Sequence, residues 1–137
     1  MFSKRKEFRM DDQTIAAFWN DFAPDYVAAQ KESRLTITTD LTTYLTQQHI
    51  LPQASVLDVG GGAGRFALPF ARIARQVTIS DISPQMLKFA GQAAAQAGLT
   101  NITLQQCAWS QLAARPQADI VFASMLPLAA TELAKFS

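Results

Sequence analysis

Two aspartates and a run of glycines carry the chemistry that can be read from this chain. Asp58 stands in Val56-Leu57-Asp58-Val59-Gly60-Gly61-Gly62-Ala63-Gly64-Arg65-Phe66, and Asp81 closes the run Gln76-Val77-Thr78-Ile79-Ser80-Asp81. The first stretch reads as a buried strand, an acid near its end, a glycine-dense turn and the start of a helix. Glycines there allow positive φ and let a ligand approach the backbone with no Cβ in the way. A helix after such a turn aims unpaired N–H groups and the positive end of its dipole into it. Strand, glycine loop and helix in this order form a cradle for a nucleotide or a nucleotide-like cofactor.

The elements that would position these residues follow from periodicity. Ile15, Phe18, Trp19, Phe22, Tyr26 and Val27 recur at three- and four-residue steps, a helical stripe over about 11–30 broken at Pro24. A second helix is predicted over 36–49, with Ile37, Leu41, Tyr44 and Leu45 on one face; its many threonines are mediocre helix formers, so packing must hold it. Strands are then expected at 55–59, 76–81, 101–106 and 118–123, the last nearly all apolar and so buried on both faces. Helices are expected at 65–74, at 84–97 with Ser83 as N-cap and Gly98 as the stop, and at 128–136.

This alternation predicts an α/β fold, a Rossmann-like, mainly parallel sheet with helices on both faces, preceded by two N-terminal helices. Residues 1–10 read as a flexible basic N-terminus and 11–137 as a single domain. Ligands of such sheets sit beyond the carboxyl ends of the strands. Asp58, the glycine loop, Asp81, Cys107 and Ser124 all fall at or just past such ends, so they are expected to surround one site.

Composition excludes several alternatives. The chain has 137 residues, enough for one domain with a core, and its formal net charge of +1 supplies no long-range field for nucleic acid or an anionic membrane. Cys107 is the only cysteine and His49 the only histidine, which leaves no disulfide and no clustered metal ligands. No apolar run approaches the ~20 residues needed to span a bilayer. The basic start lacks the apolar run of a secretory signal, so the expected location is cytoplasmic.

The glycine loop admits two readings. A dinucleotide fingerprint G-x-G-x-x-A can be laid on Gly62-Ala63-Gly64-Arg65-Phe66-Ala67, which would make an NAD-dependent oxidoreductase. The run from Asp58 to Gly64 instead satisfies [D/E]-x-G-x-G-x-G without adjustment, and here the chain resembles the class I S-adenosylmethionine-dependent methyltransferases. An acid at the loop entrance would repel a pyrophosphate, whereas it suits a ligand bearing an ammonium and a sulfonium. The resemblance extends over roughly 18–127. Val77 to Leu87 looks like the family's second-strand motif, and Ala118 to Ser124 like its fourth-strand motif. Phe18-Trp19-Asn20-Asp21-Phe22-Ala23-Pro24-Asp25-Tyr26 is similar to the lid helix that opens many small-molecule methyltransferases.

The resemblance implies S-adenosyl-L-methionine as cofactor, S-adenosyl-L-homocysteine as product and a small-molecule acceptor. It implies cofactor contacts from Asp58, Gly60, Gly62 and Gly64, with both ribose hydroxyls bonded to Asp81. Ile82 and Met86 would line the adenine, Tyr26 would reach the ligand from the lid helix, and Ser124 would stand at the fourth strand's end. Where the family often has an acid followed by alanine after the third strand, this chain has Cys107-Ala108-Trp109. Cysteine is a poor acceptor, so the adenine contact there would come from the backbone or from packing. No catalytic acid or base is implied. The family's sheet has seven strands, while this chain ends about a helix after its fourth. The expectations are therefore truncation, an open sheet edge available for self-association, and, as an alternative function, a non-catalytic cofactor-binding fragment or pairing module.

Overall fold

The structure, a computed structural model, describes residues 11–33, 36–112 and 117–123. Helix α1 (Asp12–Glu32) and helix α2 (Ile37–Gln47) precede strand β1 (Ser55–Val59). Then follow α3 (Ala67–Ala71), β2 (Gln76–Asp81), α4 (Pro84–Gln96), β3 (Ile102–Gln106), a 3-10 turn at Trp109–Gln111 and β4 (Ile120–Phe122). All pairings are parallel, in the order β3-β2-β1-β4. The expected 1–10 tail, Ser124 and the 128–136 helix lie outside the described residues.

Alternation along β1 sends side chains to two faces. Val56, Val77 and Ile79 join Leu51, Phe66, Phe70, Leu87 and Ala90 in the larger core, which Leu41 and Leu45 of α2 help to cover. Leu57 and Val59 face the other way, onto Leu112 just after the 3-10 turn, with Cys107, Ala118 and Val121 alongside. Phe66, Phe70 and Phe122 meet with ring centroids 5.0–6.2 Å apart, fastening β4 to α3. Truncating a fully buried ring such as Phe70 would cost about 3–5 kcal/mol.

Three sequence expectations need correction. Helix α1 is not broken at Pro24 but runs through it. Proline removes one donor, yet Ala23 beside it is fully buried and packing holds the turn. The helix after the glycine loop spans only five residues, because 62–66 remain turn and Pro69 cannot donate to a longer ladder. Its dipole is correspondingly small. Strand β4 is three residues long and half-buried, as befits the edge of the described sheet. The threonines of α2 are accommodated by bonding back to the preceding turn, Thr42 Oγ1 to the Thr38 carbonyl and Thr46 Oγ1 to that of Thr42, both at 2.7 Å.

A reciprocal clasp joins β1 to β4 at their starts. Asp119 Oδ2 accepts from the Ser55 N–H (2.9 Å) and hydroxyl (3.2 Å), and the Asp119 N–H donates to Ser55 Oγ (3.0 Å). These bonds hold the Asp119 carboxyl below its ordinary value. The clasp is therefore intact above the ordinary carboxylate range and is lost as pH falls through the lowered native value. Asp119→Ala should speed amide hydrogen exchange in 120–122 at neutral pH and leave the β2–β3 amides protected, as mass-spectrometric exchange would show.

Candidate functional site

The chain winds from β1 to β2 to β3 in one direction and then returns to place β4 on the other side of β1. A crevice opens at the carboxyl ends where that direction reverses. Asp58 is paired with Ile79 and Val59 with Ser80, so the loops after β1 and β2 emerge side by side. Asp58, the glycine turn and Asp81 are thereby brought together.

Asp58 is 1% exposed and its Oδ1 has no hydrogen-bond partner. Burial, and secondarily the charge of Asp81, pushes its carboxyl up from 3.8 to about 7. Asp81 is less enclosed and better bonded, with Oδ2 accepting from the Gly62 N–H and Oδ1 from the Ser83 N–H, each at 2.9 Å. Burial raises its carboxyl, and those amides work in the opposite direction. The Ile82 amide adds to them.

The turn itself differs from an anion cradle. Gly60, Gly62 and Gly64 have φ of 67°, 56° and 89°, the left-handed region that favours glycine. The N–H groups of Gly60 and Gly61 donate to the Ser80 carbonyl at 2.7 and 3.2 Å, that of Gly64 to the Gly61 carbonyl at 3.1 Å, and that of Gly62 to Asp81. Four amides of the turn are thus already bonded within the protein. What the glycines provide is space. A Cβ on Gly62 would lie 3.8 Å from Met86 Sδ and 3.9 Å from Asp81 Oδ2, which places Met86 against the turn.

The remaining predicted residues fall in two groups. Cys107 joins the site's rim, its N–H donating to the Asp81 carbonyl (3.0 Å) and its Sγ 3.2 Å from the buried Ser80 hydroxyl. Buried Ala108 follows, its N–H donating to Gln111 Oε1 at 2.8 Å, and Ile82 is half-buried after Asp81. Tyr26 belongs to an aromatic ladder on α1, against Trp19 and Phe22 at 6.1 and 6.0 Å between centroids; no bond to the glycine turn accompanies it. Phe18 and Phe22 of that ladder are exposed. A shallow groove of about 470 Å³ between α1 and α4 is lined by Asn20, Asp21, Pro24, Pro84, Gln85 and Lys88, and includes neither acid.

Sequence reading missed two contributors. Gly61 has ordinary backbone geometry but no room: a Cβ there would lie 2.5 Å from Asp58 Oδ2 and 2.9 Å from Ile79 Cγ2. Its signal was the uninterrupted glycine triplet, one more glycine than the alternating motif requires. Asn20 accepts from Ser83 Oγ at 2.6 Å and from the Gln85 N–H at 3.2 Å, docking α1 on the start of α4. Nothing local to Asn20 announces a partner 63 residues away.

Among the described residues no group of three His, Cys, Asp or Glu is placed to hold a metal ion, and no helix is long and apolar enough to cross a membrane. Comparison with known proteins adds the following. A family described as a methyltransferase domain matches residues 56–136. The magnesium protoporphyrin IX methyltransferase of Synechocystis PCC 6803, crystallised with bound S-adenosylmethionine, is 23% identical, with 94% of this chain and 69% of that one covered and a TM-score of 0.73. Its S-adenosylhomocysteine-bound form is covered over 58% of its length, with a TM-score of 0.69. Phosphoethanolamine N-methyltransferase 1 of Haemonchus contortus, in complex with phosphoethanolamine and S-adenosylhomocysteine, is 22% identical, with 91% of this chain but only 28% of that one covered and a TM-score of 0.62. No curated protein sequence matches. At these identities the likeness establishes the fold, the Rossmann-like arrangement of this enzyme class.

Two outcomes follow from the buried acid. With a native carboxyl near 7, against 3.8 ordinarily, the folded chain binds the Asp58 proton more tightly than the unfolded chain does. Stability of the ligand-free protein must therefore fall as pH rises between those values, by on the order of 4 kcal/mol. Asp58→Asn should abolish most of that slope in urea unfolding measured from acid to neutral pH. Gly61→Ala should destabilise by about 1–3 kcal/mol in the same assay, the cost of forcing a methyl group against the Asp58 carboxylate.

Proposed function

Because the chain belongs to the methyltransferase domain family, we propose that it holds S-adenosylmethionine between Asp58 and Asp81 and takes part in methyl transfer to a small-molecule acceptor. The observation that carries this reading is the unpartnered, buried carboxylate beside a glycine turn whose amides are already bonded. A pyrophosphate needs free amide donors and no adjacent anion. This crevice offers the reverse, two acids beside a turn whose amides are taken, which fits a ligand carrying positive charge and hydroxyl groups.

The reading assigns the following roles. Asp58 faces the ammonium end, where a positive charge would relieve its burial. Asp81 accepts the ribose hydroxyls. Gly60, Gly62 and Gly64 keep side chains out of the ligand's path, Ile82 and Met86 flank the base, and Cys107 and Ala108 border it at the end of β3. Tyr26 on α1 completes the proposed enclosure. When bound, S-adenosylmethionine supplies an electrophilic methyl group on a sulfonium, for in-line displacement by the acceptor. The protein's part is to orient the two reactants and exclude water, and that requires no acid or base from the chain. A small acceptor suits the near-neutral charge and the exposed aromatic ladder of α1, and the two solved relatives named above act on small molecules. A cytoplasmic location is part of the same proposal.

One observation favours a second reading, a pairing module: among the described residues the outer edge of β4 bonds to no strand. Sedimentation showing concentration-dependent dimers lost on a proline substitution at Val121 would favour it.

Calorimetry tests the main reading. S-adenosylhomocysteine should bind and NAD should not. Asp81→Ala should weaken the former roughly a hundredfold, the worth of two hydroxyl bonds to a carboxylate. Unchanged affinity in that variant, or a preference for NAD, would overturn the assignment.

A further inference from the structure

Ser83 is completely buried, so its hydroxyl requires an acceptor. Three bonds fix the residue. Its Oγ accepts from the Met86 N–H at 3.1 Å, capping α4. Its N–H donates to Asp81 Oδ1 at 2.9 Å. Its O–H donates to Asn20 Oδ1 at 2.6 Å, across from α1. The same Asn20 oxygen also takes the Gln85 N–H, so it is held from two sides.

The third bond has a consequence for the second. A serine two positions after an aspartate can offer that carboxylate its hydroxyl as well as its amide, since short side chains compete readily for nearby polar groups. At Asp81 only the amide is given, because Asn20 takes the hydroxyl. We propose that Asn20 is a positioning residue for ligand recognition: by drawing the Ser83 hydroxyl away from Asp81, it keeps that hydroxyl from competing with a ribose hydroxyl for Oδ1. A helix far from β2 in sequence thereby sets how many acceptors β2 presents. The inference rests on the reading of Asp81 as the ribose acceptor and adds a residue that reading does not contain.

The experiment compares two probes, S-adenosylhomocysteine and its 2′,3′-dideoxy analogue, by calorimetry on the full chain. The wild-type protein should prefer the hydroxylated probe by roughly a hundredfold. In Asn20→Ala that ratio should fall to about tenfold, because the Ser83 hydroxyl now occupies one of the two Asp81 acceptors. A merely structural loss, such as looser docking of α1, would weaken both probes equally and leave the ratio intact; that result overturns the role of Asn20. Removing the competitor should restore the ratio, so Asn20→Ala combined with Ser83→Ala regains the wild-type preference despite losing a helix cap. Should Asn20→Ala not fold, Ser83→Ala alone decides: it should keep the preference, and loss of the preference there overturns the inference. If the wild-type protein binds neither probe, the methyl-donor reading falls and takes this inference with it. If Asn20→Ala keeps the wild-type ratio, only the inference falls.

Discussion

One carboxylate fastens the working end of this sheet. Asp81 ends β2, and its two oxygens hold the glycine turn after β1 through Gly62 and the cap of α4 through Ser83. Its main chain reaches further, since its carbonyl accepts from Cys107 at the start of the connection after β3. Three consecutive loops are thus registered against a single residue. Charged acceptors make stronger bonds than neutral ones, and here that strength defines the crevice.

The neighbouring acid works against the fold. Asp58 is enclosed, lacks a partner at Oδ1 and feels the charge of Asp81. Chains remove such groups unless they serve a purpose, since burying an unpaired charge is among the largest single costs available. The triplet of glycines shows how closely the turn is drawn over this carboxylate, because even one methyl group at Gly61 would strike it. On the proposed reading, stability of the empty protein is exchanged for selectivity toward positive charge.

Much of this was legible in the sequence, and the parts that were not share a cause. Strand positions β1 to β3, the Ser83 cap and the grouping of Asp58, the glycines and Asp81 all follow from local signals: alternation, an N-cap followed by proline, and acids at strand ends. Pro24 misled because propensity describes an isolated helix, whereas Ala23 is locked against its surroundings. The helix after the loop was overextended because its apolar run continues through Ile73, and the pattern does not reveal where turn geometry ends. The bonding of the glycine amides within the protein was invisible, since backbone hydrogen bonds leave no mark on residue identity. Asn20 lay beyond reach for the reason that separates secondary from tertiary structure: its partner is defined only once two helices meet.

The clasp between Ser55 and Asp119 bears on the order in which the molecule assembles. It joins residues 64 apart in sequence, whereas β1 and β2 are linked by a connection roughly a third as long, so uniting β1 with β4 carries an extra chain-closure cost of about 1 kcal/mol. Nonlocal pairings of this kind form late. The β1–β2–β3 unit, with both acids already in place, therefore precedes the docking of β4, and the reversal point where a ligand would lodge is among the last features to mature. A nascent chain would hold its paired charges before it had the walls to shelter them.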